Sequence, residues 1–464
     1  MSDPVVDRLH AWLKDHEASL LADYQTLLRF PTVESEPVPN GPFGQANRDA
    51  LTFVLEKAKG WSMATTDLEG FAGYAEFGTG ERLVGIFGHL DVVPVGPGWK
   101  YPPFGAEIHD GYVYSRGTTD DKGPTIAAFY AARAVQAVVP DIAARIRMVF
   151  GCDEESGFKC IHRYVETEEA PTFGIAPDAG WPLYHAEKGI MNLQIDAPLV
   201  AGSVSLLELT GGQRHNIVID QAKARVRVTA EGRRHVEERL AEAWDRNLTA
   251  TWEGDELAIT AVGKASHGAW PYGGDNAAIR ILRFLMEVSP LDSQLKFSEL
   301  FELMHSGGGG LGVAGSDEIS ADLTCNVGIV STDGQNLTIH FNLRYPVTWK
   351  GDDIIAKIKA TLAKGRNQLM LKDVTDSPPL YFPLNHPLVQ TIVDVYEAET
   401  GERRAPGVMG GGTYARAVPN TVAIGTGWDG DGDAHQTNER LKVDHLYRMS
   451  QIYAHIIYRL ATVP

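Results

Sequence analysis

Four times along this chain a short apolar run gives way at once to a polar or acidic cluster. The runs are RLVGIFGHLDVVP (Arg82 to Pro94), RIRMVFGCDEESG (Arg145 to Gly157), FGIAPDAGWP (Phe173 to Pro182) and NTVAIGTGWDGDGDAH (Asn420 to His435). Between the first two lies DDKGPTIAAFYAARAVQAV, whose alanine-rich, helically periodic body predicts a helix ending near Val138. Continuous apolar strands alternating with helices predict an α/β domain whose mostly parallel sheet is covered on both faces. Ligands of such sheets bind beyond the carboxyl ends of the strands, where all four clusters fall.

Flanking segments extend this reading. Leu9, Trp12, Leu13, Leu20 and Leu21 recur at helical spacing and predict one amphipathic helix that ends at Pro31; a second begins near Gln45 and stops at Gly60. From about 188 to 377 the pattern changes. Alternating strands (KARVRVTAEG, ELAITAVGK, NLTIHFNLRYP) mix with helical stretches (NAAIRILRFLMEVSP, DDIIAKIKATLAKG) and predict an α+β domain inserted into the α/β body. The expected division is therefore 1–187 and 378–464 for the main domain and 188–377 for the insertion. HSGGGGLG, His305 to Gly312, reads as a flexible loop.

Composition excludes several classes of function. The formal net charge of -18 disfavours nucleic acid and anionic membrane as partners, because both require basic surface. Cys152, Cys160 and Cys325 form no CxxC pair and no disulfide framework, which points to a reducing, cytoplasmic setting. No apolar run approaches the ~18 residues of a membrane span, and the absence of GxSxG disfavours a serine hydrolase.

The clusters supply His89 and Asp91, Asp120 and Asp121, Asp153, Glu154 and Glu155, Asp178, and Asp429, Asp431, Asp433 and His435. Each has a plain explanation when taken alone. HLD could be a capped turn, DDKG a helix start, Asp178 an Asx turn, and His435 an exposed loop histidine. Together, at one sheet edge, imidazoles and carboxylates without cysteine suit two divalent cations, zinc foremost, with manganese or cobalt as alternatives. A two-metal site needs a shared carboxylate and a general base near the water it activates.

The motifs GHLDVVPVG, GTTDDKGP, CDEESG, APDAGWP and AHQTNE resemble, in order and spacing, those of the di-metal aminoacylase/carboxypeptidase superfamily. Within it the chain is most similar to peptidase V-type dipeptidases, relatives of the carnosinases. The resemblance implies that His89 and Asp178 bind one metal, Glu155 and His435 the other, and Asp120 bridges them. Asp91 would orient the His89 ring, and Glu154 would be the general base. The peptide after Asp120 would be cis. In the insertion, GKASHGAWP makes His267 the oxyanion stabiliser, and Asn216 would contact substrate. Arg344 of NLRYP would clamp the substrate's free carboxylate, with Gly412 and Thr413 of GGGTYAR in a glycine-rich loop that binds the same group. The resemblance further implies a lid that is doubled, imitating a dimer within one chain, and hence a monomer. The implied activity is metal-dependent hydrolysis of dipeptides, of broad or β-alanyl type. An N-acyl-amino-acid deacylase or desuccinylase on the same scaffold and a non-catalytic binding protein are the alternatives.

Overall fold

A computed structural model describes residues 3–242, 245–365 and 368–463. The chain forms two compact units. One comprises Met1–His185, Phe382–Gly407 and Gly412–Pro464; the other comprises Ala186–Tyr381 with Val408–Gly411. The sequence places the insertion at 188–377. The stretch 408–411, distant in sequence, belongs with the second unit, where the Lys188 amide donates to the Met409 carbonyl at 2.9 Å.

The first unit is built on a sheet with β1 (Ala64–Leu68), β2 (Ala72–Gly78), β3 (Leu83–His89), β4 (Arg145–Gly151) and β5 (Phe173–Ala179). Spatially the order is β1-β2-β4-β3-β5, followed by the strand Thr421–Gly425. β3 runs parallel to β4 and β5, and Thr421–Gly425 runs parallel to β5, while β1 and β2 form an antiparallel edge. Every residue of β3 is buried, as expected for a parallel strand covered on both faces. Register sets His89 beside Gly151 and Ala179 beside Gly425, so these strands end together at one edge. The helix Lys122–Val138 is buried along most of its length and packs against the C-terminal helix Val443–Thr462.

One expectation is corrected. The N-terminal amphipathic segment is two helices, Pro4–Asp15 and Glu17–Leu28, not one. His16 leaves helical geometry (φ -111°, ψ 8°), and its Nδ1 lies 2.7 Å from the Trp12 carbonyl, with the ring stacked on Trp12. Apolar periodicity continues through that break because both helices bury leucines, so period alone does not reveal it.

The second unit holds an eight-stranded sheet of β6 (Gly189–Pro198), β7 (Val204–Gly211), β8 (Gln221–Val228), β9 (Leu248–Glu253), β10 (Glu256–Val262), β11 (Thr324–Thr332), β12 (Asn336–Tyr345) and β13 (Met370–Ser377). The order is β9-β10-β8-β7-β11-β12-β6-β13, antiparallel throughout. Burial alternates residue by residue along β6 and β8, the signature of a sheet with one face on the core. The sheet repeats itself about the β7–β11 seam. On one side β7 and β8 lead through the helix Ala230–Glu242 to β9; on the other β11 and β12 lead through Gly351–Leu362 to β13. β10 and β6 fill equivalent places in the two halves. The helix Ala277–Val288 covers the buried face, with Asn276 capping its first turn by accepting from the amides of Ala278 and Ile279.

Candidate metal centre

At the aligned ends of the parallel strands, polar side chains converge. β3 ends at His89, which is 1% exposed, and Asp91 follows at 2%. β4 delivers a turn whose three acids diverge. Asp153 caps the turn, accepting from Ser156 Oγ at 2.6 Å and from the Lys159 amide at 2.9 Å. Glu154 approaches His89 and Asp178, and Glu155 approaches Asp120 and His435. Consecutive carboxylates are tolerable here because each is sent to a different partner. Asp178 comes from β5 and His435 from the loop after Thr421–Gly425. The Asp120–Asp121 peptide is cis.

Asp120 lies at the centre. Its Oδ1 is 3.0 Å from His89 Nε2, and its Oδ2 is 3.0 Å from His435 Nε2, which also lies 3.1 Å from Glu155 Oε1. The potential ligand atoms of His89, Glu154 and Asp178 fall within 4.8 Å of one another, as do those of Asp120, Glu155 and His435. On its other side, His89 Nδ1 is 3.1 Å from the Asp91 carbonyl and 3.5 Å from Asp91 Oδ1. Asp91 Oδ2 accepts from the Glu155 amide at 3.0 Å, tying the β3 and β4 loops together. Asp121 turns away from the cluster, accepting from the His89 amide and from Thr125 Oγ1.

The electrostatics are those of a site built for cations. Burial pushes the carboxyls of Glu154, Asp178 and Asp121 well above the usual carboxylate range, and neighbouring acids push the same way. Burial also raises Glu155. His435 is pushed up to about 10 by its hydrogen bonds to Asp120 and Glu155. Burial would lower His89, but Asp120 and Asp91 outweigh it and raise it. Burial opposes ionisation of Asp120, yet His435 and His89 bring its carboxyl below the usual range. His89 Nε2 is buried and falls outside hydrogen-bond geometry, and Asp91 Oδ1 and Asp121 Oδ1 are likewise without hydrogen bonds among the described residues. Two imidazoles, four converging carboxylates and an unsatisfied ring nitrogen fit a pair of divalent cations of the zinc, manganese or cobalt kind.

Two residues with structural roles here carried no role in the sequence reading. Glu439, fully buried, accepts from the Thr119 amide at 2.8 Å, from the Gly117 amide at 3.2 Å and from Arg116 Nη1 at 2.8 Å. It thereby fixes the loop that presents Asp120. Its signal was the acid that closes AHQTNE, four residues after His435. Lys122 is buried beneath the same loop and donates to the Phe30 carbonyl at 2.6 Å; burial brings its amine down to about 7.

Asp429, Asp431 and Asp433 are the correction at this site, because none joins either ligand group. Asp431 instead organises its loop, accepting from the amides of Trp428 and Lys442 and lying 2.8 Å from His445 Nδ1. Thr413 is also a cap, its Oγ1 accepting from the Ala415 amide at 3.1 Å, and Gly412 precedes it in the first unit.

Asn216, His267 and Arg344 belong to the second unit. There Asn216 and His267 are neighbours: Ile217 pairs with His267, and the Gly268 amide donates to the Asn216 carbonyl at 2.6 Å. Arg344, 5% exposed, donates from Nε to Asn342 Oδ1 at 2.9 Å and from Nη1 to the Gly410 carbonyl at 3.0 Å. Arg344 and Asn216 line the same cleft.

Residues 85–459 match the model of a family described as Peptidase family M20/M25/M40. The chain is 36% identical over 458 residues to "Putative dipeptidase YtjP" of Bacillus subtilis (strain 168), covering 95% of this chain and 97% of that protein. Among solved structures it is similar to human carnosine dipeptidase 1, with a TM-score of 0.59 at 14% identity over 100% of both chains. It is also similar to the dipeptidase Dug1p of Saccharomyces cerevisiae, with a TM-score of 0.58 at 13% identity over 99% of both. At such identities the structural likeness speaks for the fold.

Proposed function

Because the chain belongs to peptidase family M20/M25/M40, we propose that it is a two-metal dipeptidase in which Glu154 is the general base. The observation that carries this reading is the Asp120 carboxylate, with one oxygen 3.0 Å from His89 and the other 3.0 Å from His435. A carboxylate so placed suits the bridge between two cations, with His89 and Asp178 on one side and Glu155 and His435 on the other. Asp91 holds the His89 ring in orientation.

When bound, the cations would supply Lewis-acid polarisation of the scissile carbonyl and a water acidified toward neutrality. Glu154 takes the proton of that water as it attacks, then returns it to the departing amine. The raised basicity this needs follows from the burial of its carboxyl. His267 stabilises the oxyanion, Asn216 contacts the substrate, and Arg344 pairs with its free carboxylate, for which a planar guanidinium is suited. Gly412 and Thr413 offer backbone amides to the same group.

The repeat within the second sheet supports a monomer that carries both halves of its lid. Three free, buried cysteines support a reducing, cytoplasmic location.

The test is a hydrolysis panel on chelator-stripped protein reloaded with zinc, manganese or cobalt. It would hold an α-dipeptide, a β-alanyl dipeptide, a tripeptide and an N-acetylated amino acid. Metal-dependent turnover of dipeptides alone is expected. Cleavage of only the acetylated compound would make the protein a deacylase, and no turnover with any metal would leave a binding protein.

A further inference from the structure

The second unit carries a cleft of ≈ 720 Å³ that Arg344 helps to line, with further lining from β6 and β12. Strand alternation sets His340, Asn342 and Arg344 on one face of β12. Register places Asn342 opposite Asn192 and His340 opposite Gln194. Asn342 Nδ2 donates to Asn192 Oδ1 at 2.7 Å, which fixes the amide so that its Oδ1 faces Arg344 Nε. Asn192 thus orients Asn342, and Asn342 holds the guanidinium.

Four residues along β12 from Arg344 the chemistry is different. The rings of His340 and His215 meet edge to face, with centroids 5.0 Å apart. Among the described residues, neither ring makes a hydrogen bond, so both offer nitrogens to whatever enters. Ile190 and Leu193 are the aliphatic members of the lining. With Arg344 paired to the substrate carboxylate, the charges left on the lining are Arg214 and Asp373, which oppose each other.

We propose that this cleft receives the side chain of the substrate's C-terminal residue and selects neutral, hydrogen-bonding side chains over aliphatic ones. The inference rests on reading Arg344 as the partner of the substrate carboxylate. Carboxylate and side chain leave the same Cα, so anchoring one at Arg344 delivers the other into the adjoining cleft. An aliphatic side chain would displace water from the His215 and His340 nitrogens without replacing those hydrogen bonds.

The experiment compares kcat/KM for alanyl-glutamine, alanyl-leucine and alanyl-glycine on the metal-loaded full chain. Alanyl-glutamine should exceed alanyl-leucine by about tenfold. In His340→Leu that ratio should fall toward one, while His340→Asn, which keeps a hydrogen-bonding group, should retain most of it. The ratio is internal to each variant, so a partly folded sample does not distort it. Alanyl-leucine turned over as well as alanyl-glutamine, or a ratio untouched by His340→Leu, would overturn the proposal. Loss through its premise is separable: an inert alanyl-glycine removes the dipeptidase reading, and an unchanged KM for alanyl-glycine in Arg344→Lys removes the anchor and the subsite together.

Discussion

Asp153, Glu154 and Glu155 follow one another in sequence, yet each carboxyl has a separate task, and substitution should separate them. Glu154→Gln keeps the shape and removes the proposed base. It should lower kcat by about 10²–10⁴-fold while the protein retains two equivalents of metal by elemental analysis; loss of one metal would instead make Glu154 a ligand. Asp153→Ala removes the acceptor for Ser156 Oγ and the Lys159 amide. It should cost about 1–2 kcal/mol in urea unfolding, with both metals still bound. Among the proposed ligands, His89, Glu155 and Asp178 drew notice because they close apolar strands, where a buried polar group needs a reason, whereas Asp120 opens a helix and His435 sits in a loop. Asp431 was not distinguishable from a ligand, since its partners, the Lys442 amide and His445, come from a helix start that the acidic run does not announce. Glu439 was missed for the same cause: its value lies in the Thr119 and Gly117 amides, some 320 residues away by its hydrogen bonds.

Elements are held to one another by a few buried charges, and pH should expose them. Glu399, on the helix Pro387–Thr400, lies 3.3 Å from His10 Nε2 of the first helix and 2.6 Å from His455 Nδ1 of the last. Burial opposes its ionisation, but the two histidines bring its carboxyl down to about 2. The folded value is below the unfolded one of about 4.3, so this contribution is complete above the unfolded value and is lost as pH falls toward 2. It amounts to at most on the order of 3 kcal/mol. Urea midpoints between pH 3 and 6 should therefore vary less in Glu399→Gln than in the parent; parallel curves would remove the role. The Asp120 loop depends on a charge pair of the same kind. Glu439→Ala strands the buried Arg116 guanidinium and should cost about 3–5 kcal/mol, with metal affinity falling as Asp120 loses its support. Helices with a clean apolar stripe were readable from period, whereas the break at His16 depends on a ring stacked on Trp12 that no spacing encodes.

On the scale of the whole chain, the parallel sheet was legible because strands buried on both faces must be written as unbroken apolar runs. The antiparallel edge of β1 and β2 was not, since ATTDL and AGYAEFG carry charge and glycine where they meet solvent. The membership of 408–411 in the second unit was also hidden, resting on pairing across a long sequence separation. The molecule carries a formal charge of -18 and gathers acids at a buried edge, so its stability should depend on metal in a pH-dependent way. Burial raises Glu154, Asp178, Asp121 and Glu155, so the folded, metal-stripped chain binds protons there that the unfolded chain gives up. Their contribution is complete below the ordinary carboxylate range and is lost as pH rises. His435, raised to about 10, acts in the same sense: its contribution is complete below about 6.5 and lost as pH climbs through 10. Asp120 is lowered instead and changes stability only at acid pH. From pH 5.5 to 8 the stripped protein should therefore lose stability, while bound cations replace the missing protons. The Tm difference between loaded and stripped protein should widen across that range, reaching about 5 °C or more at pH 8. A thermal-shift series with and without chelator decides it, and a difference that stays level or narrows would mean that these carboxylates do not hold the metal.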